Sequence, residues 1–328
     1  YSAAENRYEC GMQYRRAGRS GVMLPAISLG LWHNFGDIDT LSLSRKKLHY
    51  AFDHGITHFD LANNYGPSYG SAEETFGQIM KSSFAPYRDE LFISTKAGHD
   101  MWPGPYGNWG SRKHLMASLD QSLKRMNLDY VDVFYSHRYD PDTPLEETLQ
   151  ALVDIVRKGK ALYVGLSKYP LDAYLFACRY LRERDVPCLL YQGRYSMLVR
   201  EPESQGILNA VKENGSGFVA FSPLAQGLLT NRYLNGIPDD SRIARGGFLK
   251  KEALTPEVLG RIQALNERAA MRGQSLAEMA LAWLLKNETV TSVIVGASSV
   301  EQLGDSLKTL NHLSFEEEEL HAIEKILM

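Results

Sequence analysis

Short apolar, β-branched runs alternate along this chain with longer stretches in which apolar residues return every three or four positions. The short runs are Ala26–Leu31, Thr57–Leu61, Leu91–Lys96, Tyr130–Ser136, Ala161–Leu166, Cys188–Gln192, Phe218–Phe221 and Ser292–Val295. Their length and composition predict buried strands. Between them Leu41–Asp53, Ser111–Met126, Leu145–Lys158 and Leu171–Arg184 read as amphipathic helices. In the second of these, Leu115, Leu119, Leu123 and Met126 line one face. Strand–helix alternation builds a parallel sheet with right-handed crossovers. An open doubly wound sheet and a closed barrel both satisfy it. Eight units favour the barrel, and so does the lack of a G-x-G-x-x-G turn after the first strand. The expected fold is α/β, a (β/α)8 TIM barrel.

Two segments break the alternation. Met12–Leu24 reads as a β-hairpin ahead of the first barrel strand, with Gly18 and Gly21 near its turn. Leu229–Leu254 is rich in Gly, Asp and Arg and reads as a long loop. Helices over Thr255–Arg272 and Ser275–Lys286 follow it, and a last one begins around Glu316–Glu319. With no low-complexity linker, one domain over residues 1–328 is expected.

Composition narrows the class. Lys and Arg number 36 against 39 Asp and Glu, a net charge of −3, which argues against a nucleic-acid binder. No apolar run nears the roughly 20 residues that span a bilayer. The three cysteines, Cys10, Cys178 and Cys188, are odd in number and form no CxxC, so no disulfide framework is expected. Cys178 and Cys188 read as small buried hydrophobes. With no charged-then-apolar leader, a cytoplasmic location is the expectation.

Working residues of a barrel enzyme sit at the C-terminal ends of its strands. Here those positions carry Trp32; Asp60 with Asn63, Asn64 and Tyr65; Lys96; His137; Ser167 and Lys168; Gln192; Phe221-Ser222-Pro223; and Gly296-Ala297-Ser298. Tyr65 is one of 18 tyrosines and His137 one of nine histidines, so neither means much alone. Asp60, Tyr65, Lys96 and His137 at consistent strand ends make chemical sense together. An ammonium beside a phenol favours the phenolate, so Lys96 is expected to lower the Tyr65 pKa while Asp60 holds Lys96 in place. Tyr65 then serves as general acid, and His137 polarises a carbonyl oxygen. A metal-dependent hydrolase would need a His-x-His pair or a His/carboxylate cluster. His54 and His58 merely flank Gly55 by sequence, and no metal is expected.

The chain resembles the aldo-keto reductase superfamily from about Met12 to its C-terminus. The resemblance is carried by Gly55–Gly66 (GITHFDLANNYG), Ile93–Lys96 (ISTK), Asp132–His137 (DVFYSH), Val164–Ser167 (VGLS) and Phe221–Leu224 (FSPL). Gly296–Ser299 with Gln302 resembles the cofactor loop of the potassium-channel β-subunit branch. Leu29–Phe35 (LGLWHNF), Asn63–Pro67 (NNYGP), Met101–Tyr106 (MWPGPY) and Pro223–Thr230 (PLAQGLLT) look most like the bacterial L-glyceraldehyde 3-phosphate reductases. The resemblance implies NADPH (NADP+ when oxidised) as cofactor, a tetrad of Asp60, Tyr65, Lys96 and His137, and small aldehydes such as L-glyceraldehyde 3-phosphate and methylglyoxal as substrates. It implies that Phe221 stacks on the nicotinamide, with Asp60, Ser167 and Gln192 beside it and Trp32 lining both the cofactor and the substrate pocket. Ser222, Leu224, Gln226 and Arg232 would meet the pyrophosphate, and Gly296, Ser298, Gln302, Asp305 and Ser306 the adenosine end. It further implies a homo-oligomer, tetramer or octamer.

Two positions depart from the pattern. Lys168 stands where relatives usually have Asn, Ser or Arg. Gly296–Ser306 contains no basic residue for a 2′-phosphate, so Arg242 or Arg245 would have to supply one; otherwise NADH serves too. Trp32, Trp102 and Trp109 are expected to form an aromatic rim, with Trp32, Tyr65, Trp102 and His137 facing substrate. Arg138, Arg112 or Lys113 is the candidate for a substrate phosphate. A redox-sensing nicotinamide-binding subunit is the alternative of another class, and retention of His137 favours the enzyme.

Overall fold

A computed structural model describes residues 1–237, 243 and 251–328 of the chain. A two-stranded antiparallel hairpin comes first: β1 (Tyr14–Arg16) and β2 (Met23–Pro25). The barrel strands follow as β3 (Ile27–Gly30), β4 (His58–Asp60), β5 (Phe92–Ala97), β6 (Val131–Ser136), β7 (Ala161–Ser167), β8 (Cys188–Arg194), β9 (Gly217–Phe221) and β10 (Val290–Val295). They pair in chain order, all parallel, and β10 closes on β3. The eight apolar runs are these eight strands, shifted by a residue or two at their ends.

Helices α1 (Leu41–Asp53), α3 (Arg112–Met126), α4 (Leu145–Arg157) and α5 (Leu171–Arg182) are the four that periodicity predicts. Hydroxyl caps set where several helices begin. Thr40 accepts from the Leu43 N–H ahead of α1, and Ser111 from the His114 N–H ahead of α3. Thr255 and Ser275 cap α8 (Pro256–Met271) and α9 (Leu276–Leu285) in the same way. A capping box between Glu316 and Glu319 opens α11 (Glu317–Leu327). The sequence reading did not single out α2 (Ser71–Ile79), the short α6 (Glu201–Ser204), α7 (Ile207–Asn214) or α10 (Val300–Leu307). The expected loop Leu229–Leu254 holds single helical turns at Asn231–Tyr233 and Lys251–Ala253. Arg242 and Arg245 lie outside the described residues. Among the described residues no helix is long and apolar enough to cross a membrane. Cys178 and Cys188 are buried and free, Cys10 exposed and free.

The hairpin floors the barrel. Ala17 and Leu24 pack with Val133, Leu189, Leu190 and Val219. At the turn Gly18 has φ 54°, and a Cβ there would lie 2.1 Å from the Gly215 carbonyl oxygen, so only glycine fits. Gly215 and Gly217 mark the start of β9, so the hairpin closes the N-terminal end. The C-terminal mouth is left for chemistry.

Candidate active site

Side chains two apart on a strand share a face. His58 and Asp60 on β4 therefore point the same way, and so do Ser94 and Lys96 on β5. Register sets Asp60 beside Ser94 and Lys96 beside Tyr135. Lys96 is fully buried and spends three N–H bonds: on Asp60 Oδ2 at 2.7 Å, on the Leu61 carbonyl at 2.7 Å and on the Tyr65 oxygen at 3.1 Å. His137, at the end of β6, meets the Tyr65 ring edge-on with centroids 6.0 Å apart. The four residues expected to act together are thus in one place.

Asp60 is held from behind by a chain of buried polar groups. Its Oδ1 accepts from Ser94 Oγ at 2.8 Å and from Gln192 Nε2 at 3.1 Å. Ser94 has one hydroxyl hydrogen, spent on the carboxylate, so it accepts from His58 Nε2, 3.0 Å away. His58 then carries its proton on Nε2, and Nδ1 accepts from Ser28 Oγ at 2.8 Å. Ser28 is left to accept from Ser292 Oγ at 2.6 Å. Every donor in the chain Ser292–Ser28–His58–Ser94 points toward Asp60.

Burial decides the protonation states. Burial first, then Asp60 and Tyr135, pushes the Tyr65 phenol well above its ordinary value. This corrects the expectation that Lys96 lowers it. The sequence argument counted the ammonium and left out desolvation and the carboxylate that neutralises it. Burial pulls Lys96 down, with Asp60 holding it up. Burial, then Lys96 and His99, hold His137 well below the imidazole range. His58 is lowered by burial to about 4. At neutral pH the site therefore presents a protonated phenol and a neutral imidazole.

A cavity of about 260 Å³ opens beside Tyr65. Trp32, Asp60 and Tyr65 line it, with Phe221, Ser222, Leu224, Gln226 and Arg232 from the segment after β9 and Gly296, Ser298 and Gln302 from the segment after β10. The β9 segment is built for close approach. Ser222, Ala225 and Gln226 have φ of 51°, 49° and 58°, and Gly227 follows at 98°. The turn is tight, with the Ala225 and Gly227 N–H groups donating to the Ser222 and Leu224 carbonyls at 3.0 Å each. Gln226 Oε1 is buried without a hydrogen-bond partner among the described residues. At Gly296 a Cβ would meet nothing within 4 Å, so the cradle is open there. These features fit a dinucleotide.

Other expected contacts fall elsewhere. Ser167 is buried, and the Gln192 amide nitrogen is already committed to Asp60. Asp305 pairs with Lys308 at 2.7 Å, and Ser306 Oγ donates to the Gln302 carbonyl; neither lines the cavity. Trp102 packs on His114, centroids 4.9 Å apart, and Trp109 lies 3.6 Å under the Arg138 guanidinium. Of the three tryptophans only Trp32 lines the cavity. Arg112 pairs with Asp154 of α4 at 2.5 Å, and Lys113 Nζ sits 5.2 Å from the Tyr106 ring centroid. His54 Nδ1–H donates to the Tyr50 carbonyl at 2.8 Å, while His58 faces the barrel interior, so the two share no site. Among the described residues no group of three His, Cys, Asp or Glu is placed to hold a metal ion.

Ser28, His58, Ser94, Tyr135 and Ser292 were missed as site residues. Period-two spacing from Asp60 to His58 and from Lys96 to Ser94 was the signal that could have found two of them. Ser28, Tyr135 and Ser292 lie on other strands and need the register.

The sequence profile described as the aldo/keto reductase family matches residues 26–328. The chain is 57% identical over 319 residues to the L-glyceraldehyde 3-phosphate reductases of Escherichia coli O157:H7 and of strain K12, covering 96% of this chain and 92% of each of theirs. It is 36% identical over 306 residues to a probable voltage-gated potassium channel subunit beta of Arabidopsis thaliana, covering 92% of both chains. With a closed eight-stranded barrel and a Tyr–Lys–Asp–His site at its mouth, the chain belongs to the aldo/keto reductase family.

Proposed function

We propose that this oxidoreductase reduces short aldehydes to alcohols with NADPH, and that L-glyceraldehyde 3-phosphate and methylglyoxal are among its substrates. The observation that carries the reading is the direction of one hydrogen bond. Lys96 is an ammonium with no lone pair, so Tyr65 accepts from it at 3.1 Å. The phenol's own hydrogen is thereby left to point into the cavity.

An aldehyde oxygen placed there accepts from Tyr65 and from the neutral His137 ring. A bound reduced nicotinamide supplies hydride to the carbonyl carbon. As negative charge grows on the oxygen, Tyr65 hands over its proton, and the phenolate left behind faces the Lys96 ammonium. Asp60 keeps that ammonium charged in a dry setting. A raised phenol pKa helps here, because the proton stays on Tyr65 until the oxygen becomes basic enough to take it. Phe221 and Trp32 would flank the nicotinamide ring. Ser222, Leu224, Gln226 and Arg232 would hold the pyrophosphate, and Gly296, Ser298 and Gln302 the adenosine.

The test is loss of absorbance at the reduced-nicotinamide band with each aldehyde, using NADPH and NADH, for wild type and Tyr65→Phe. Turnover that needs the phenol supports the reading, and the cofactor ratio measures the effect of a loop without a basic residue. Tight NADPH binding with no turnover on either aldehyde would overturn it in favour of a nicotinamide-sensing subunit.

A further inference from the structure

A positive corner at the barrel mouth takes no part in the chemistry above. Lys168 follows β7, and its backbone is left-handed at φ 57°, a conformation strained for a residue with a long side chain. Its exposed ammonium donates to His99 Nε2 at 3.2 Å. His99 stands edge-on to His137, ring centroids 4.5 Å apart at 90°, and His137 meets Tyr65. Three rings in contact thus lead from the proton donor to Lys168. Arg138 closes the same corner. It donates to the Gly98 carbonyl at 2.9 Å and to Asn108 Oδ1 at 2.7 Å, and lies on the Trp109 face.

All of these partners are neutral. Among the described residues neither Lys168 nor Arg138 forms an ion pair with a carboxylate. The acids within Coulomb range of Arg138 are Asp100 and Asp140. Asp100 accepts from Asn108 Nδ2, and Asp140 from the N–H groups of Gly110, Asp142 and Thr143. Burial of its stem in this corner, then the cations Lys96 and Arg138, pull the Lys168 ammonium down to about 8, although the side chain as a whole still reaches solvent. His99 is lowered by burial, then by Lys168, Arg138 and Lys96, to about 4, so it is neutral. With Nε2 accepting from Lys168, its proton sits on Nδ1. A cation crowded by like charges yet open to solvent is favoured by one kind of ligand, an anion.

We propose that Lys168, with Arg138 and His99, forms a subsite for the phosphate of a short phosphorylated aldehyde whose carbonyl lies at Tyr65. The proposal rests on the reductase reading and adds to it the residue that selects the substrate class. Lys168 has two further ammonium hydrogens for phosphate oxygens, and the dianion would offset the repulsion from Lys96 and Arg138. Arg138 is already oriented by Gly98, Asn108 and Trp109, so it acts as a fixed positive wall rather than a mobile clamp.

The experiment compares L-glyceraldehyde 3-phosphate with L-glyceraldehyde, the same carbon chain without phosphate, on wild type, Lys168→Met and Lys168→Arg. The ratio of the two kcat/KM values is expected to fall at least tenfold in Lys168→Met, through KM of the phosphorylated aldehyde, and to recover within about threefold in Lys168→Arg. In wild type the ratio falls from pH 7 to pH 9 as the lysine loses its proton through about 8; in Lys168→Arg it stays level. Calorimetric titration of glycerol 3-phosphate, with glycerol as control, reads the subsite without turnover. Its affinity is expected to drop about tenfold in Lys168→Met, whose melting temperature is checked alongside. A ratio and a glycerol 3-phosphate affinity unchanged in a folded Lys168→Met overturn the subsite. So does an equal loss on both aldehydes with weakened NADPH binding, which would give the lysine to the cofactor. Should wild type reduce neither aldehyde, the reductase reading fails and the titration alone decides the subsite.

Discussion

Three hydrogens on one nitrogen organise the site. Lys96 Nζ reaches Asp60, the Leu61 carbonyl and Tyr65 at 2.7, 2.7 and 3.1 Å with no exposed surface. A single substitution therefore has unequal effects depending on which partner it strands. Tyr65→Phe keeps the ring against Trp32, 6.1 Å between centroids, and removes only the proton. Its kcat/KM is expected to fall about 10²- to 10⁴-fold, the usual worth of a positioned general acid, with the dissociation constant for NADPH in a fluorescence titration unchanged. Lys96→Met strands a carboxylate that is 2% exposed. Breaking a buried pair this way costs about 3–5 kcal/mol, read as a lower urea midpoint. Asp60→Asn added to Lys96→Met should return most of that stability and none of the activity. If the double variant were as unstable as the single one, the stranded charge would not be the cause.

On the scale of strands, β4 and β5 deliver the Asp60–Lys96 pair and also its support. Ser94→Ala cuts Asp60 from His58 and leaves the His58 Nε2–H buried without an acceptor, at about 1–3 kcal/mol. Because Asp60 loses one of its two Oδ1 donors, kcat is expected to fall about 5- to 50-fold with KM little changed; a rise in KM at constant kcat would argue against a positioning role. This support was half legible in the sequence. Alternation within a strand puts His58 with Asp60 and Ser94 with Lys96, and the strand–helix count implies a barrel whose mouth gathers Asp60, Tyr65, Lys96 and His137. What the sequence hides is neighbour register. Ser28, Ser292 and Tyr135 join the site only because β3 pairs with both β10 and β4, and β5 with β6. The phenol pKa was misjudged for a related reason: Coulomb partners can be guessed from spacing, whereas desolvation depends on everything packed around the group. Lys168 reads from the sequence as a doubtful cofactor contact, and its hydrogen bond to His99, on which the phosphate proposal rests, is visible only in the structure.

For the molecule as a whole, several histidines kept neutral by burial make stability depend on mild acid. His58 is fully buried and titrates at about 4, against 6.5 in an unfolded chain. As pH falls below 6.5 the unfolded chain binds a proton that the folded barrel refuses, so stability falls with pH and the loss is complete near pH 4. The shift is 6.5 − 4 = 2.5 units, or about 3 kcal/mol in full and about 2 kcal/mol by pH 5. His137 acts in the same direction. Among the shifted carboxylates Asp140, Asp154, Glu203 and Glu319 are lowered, so their contributions fade mainly below about pH 4.5; Asp132, raised by burial, works in the opposite direction, but a His58 variant shares it with wild type, so it cancels in the comparison. Urea unfolding at pH 7, 6 and 5 isolates the histidines. His58→Asn is neutral throughout, so it should start less stable than wild type at pH 7, having lost a fitted link between Ser28 and Ser94. It should then lose about 2 kcal/mol less than wild type on going to pH 5, and the two curves converge. Parallel curves would mean that His58 accepts a proton in the folded barrel, and with it that the hydrogen-bond chain behind Asp60 does not run in the direction assigned to it.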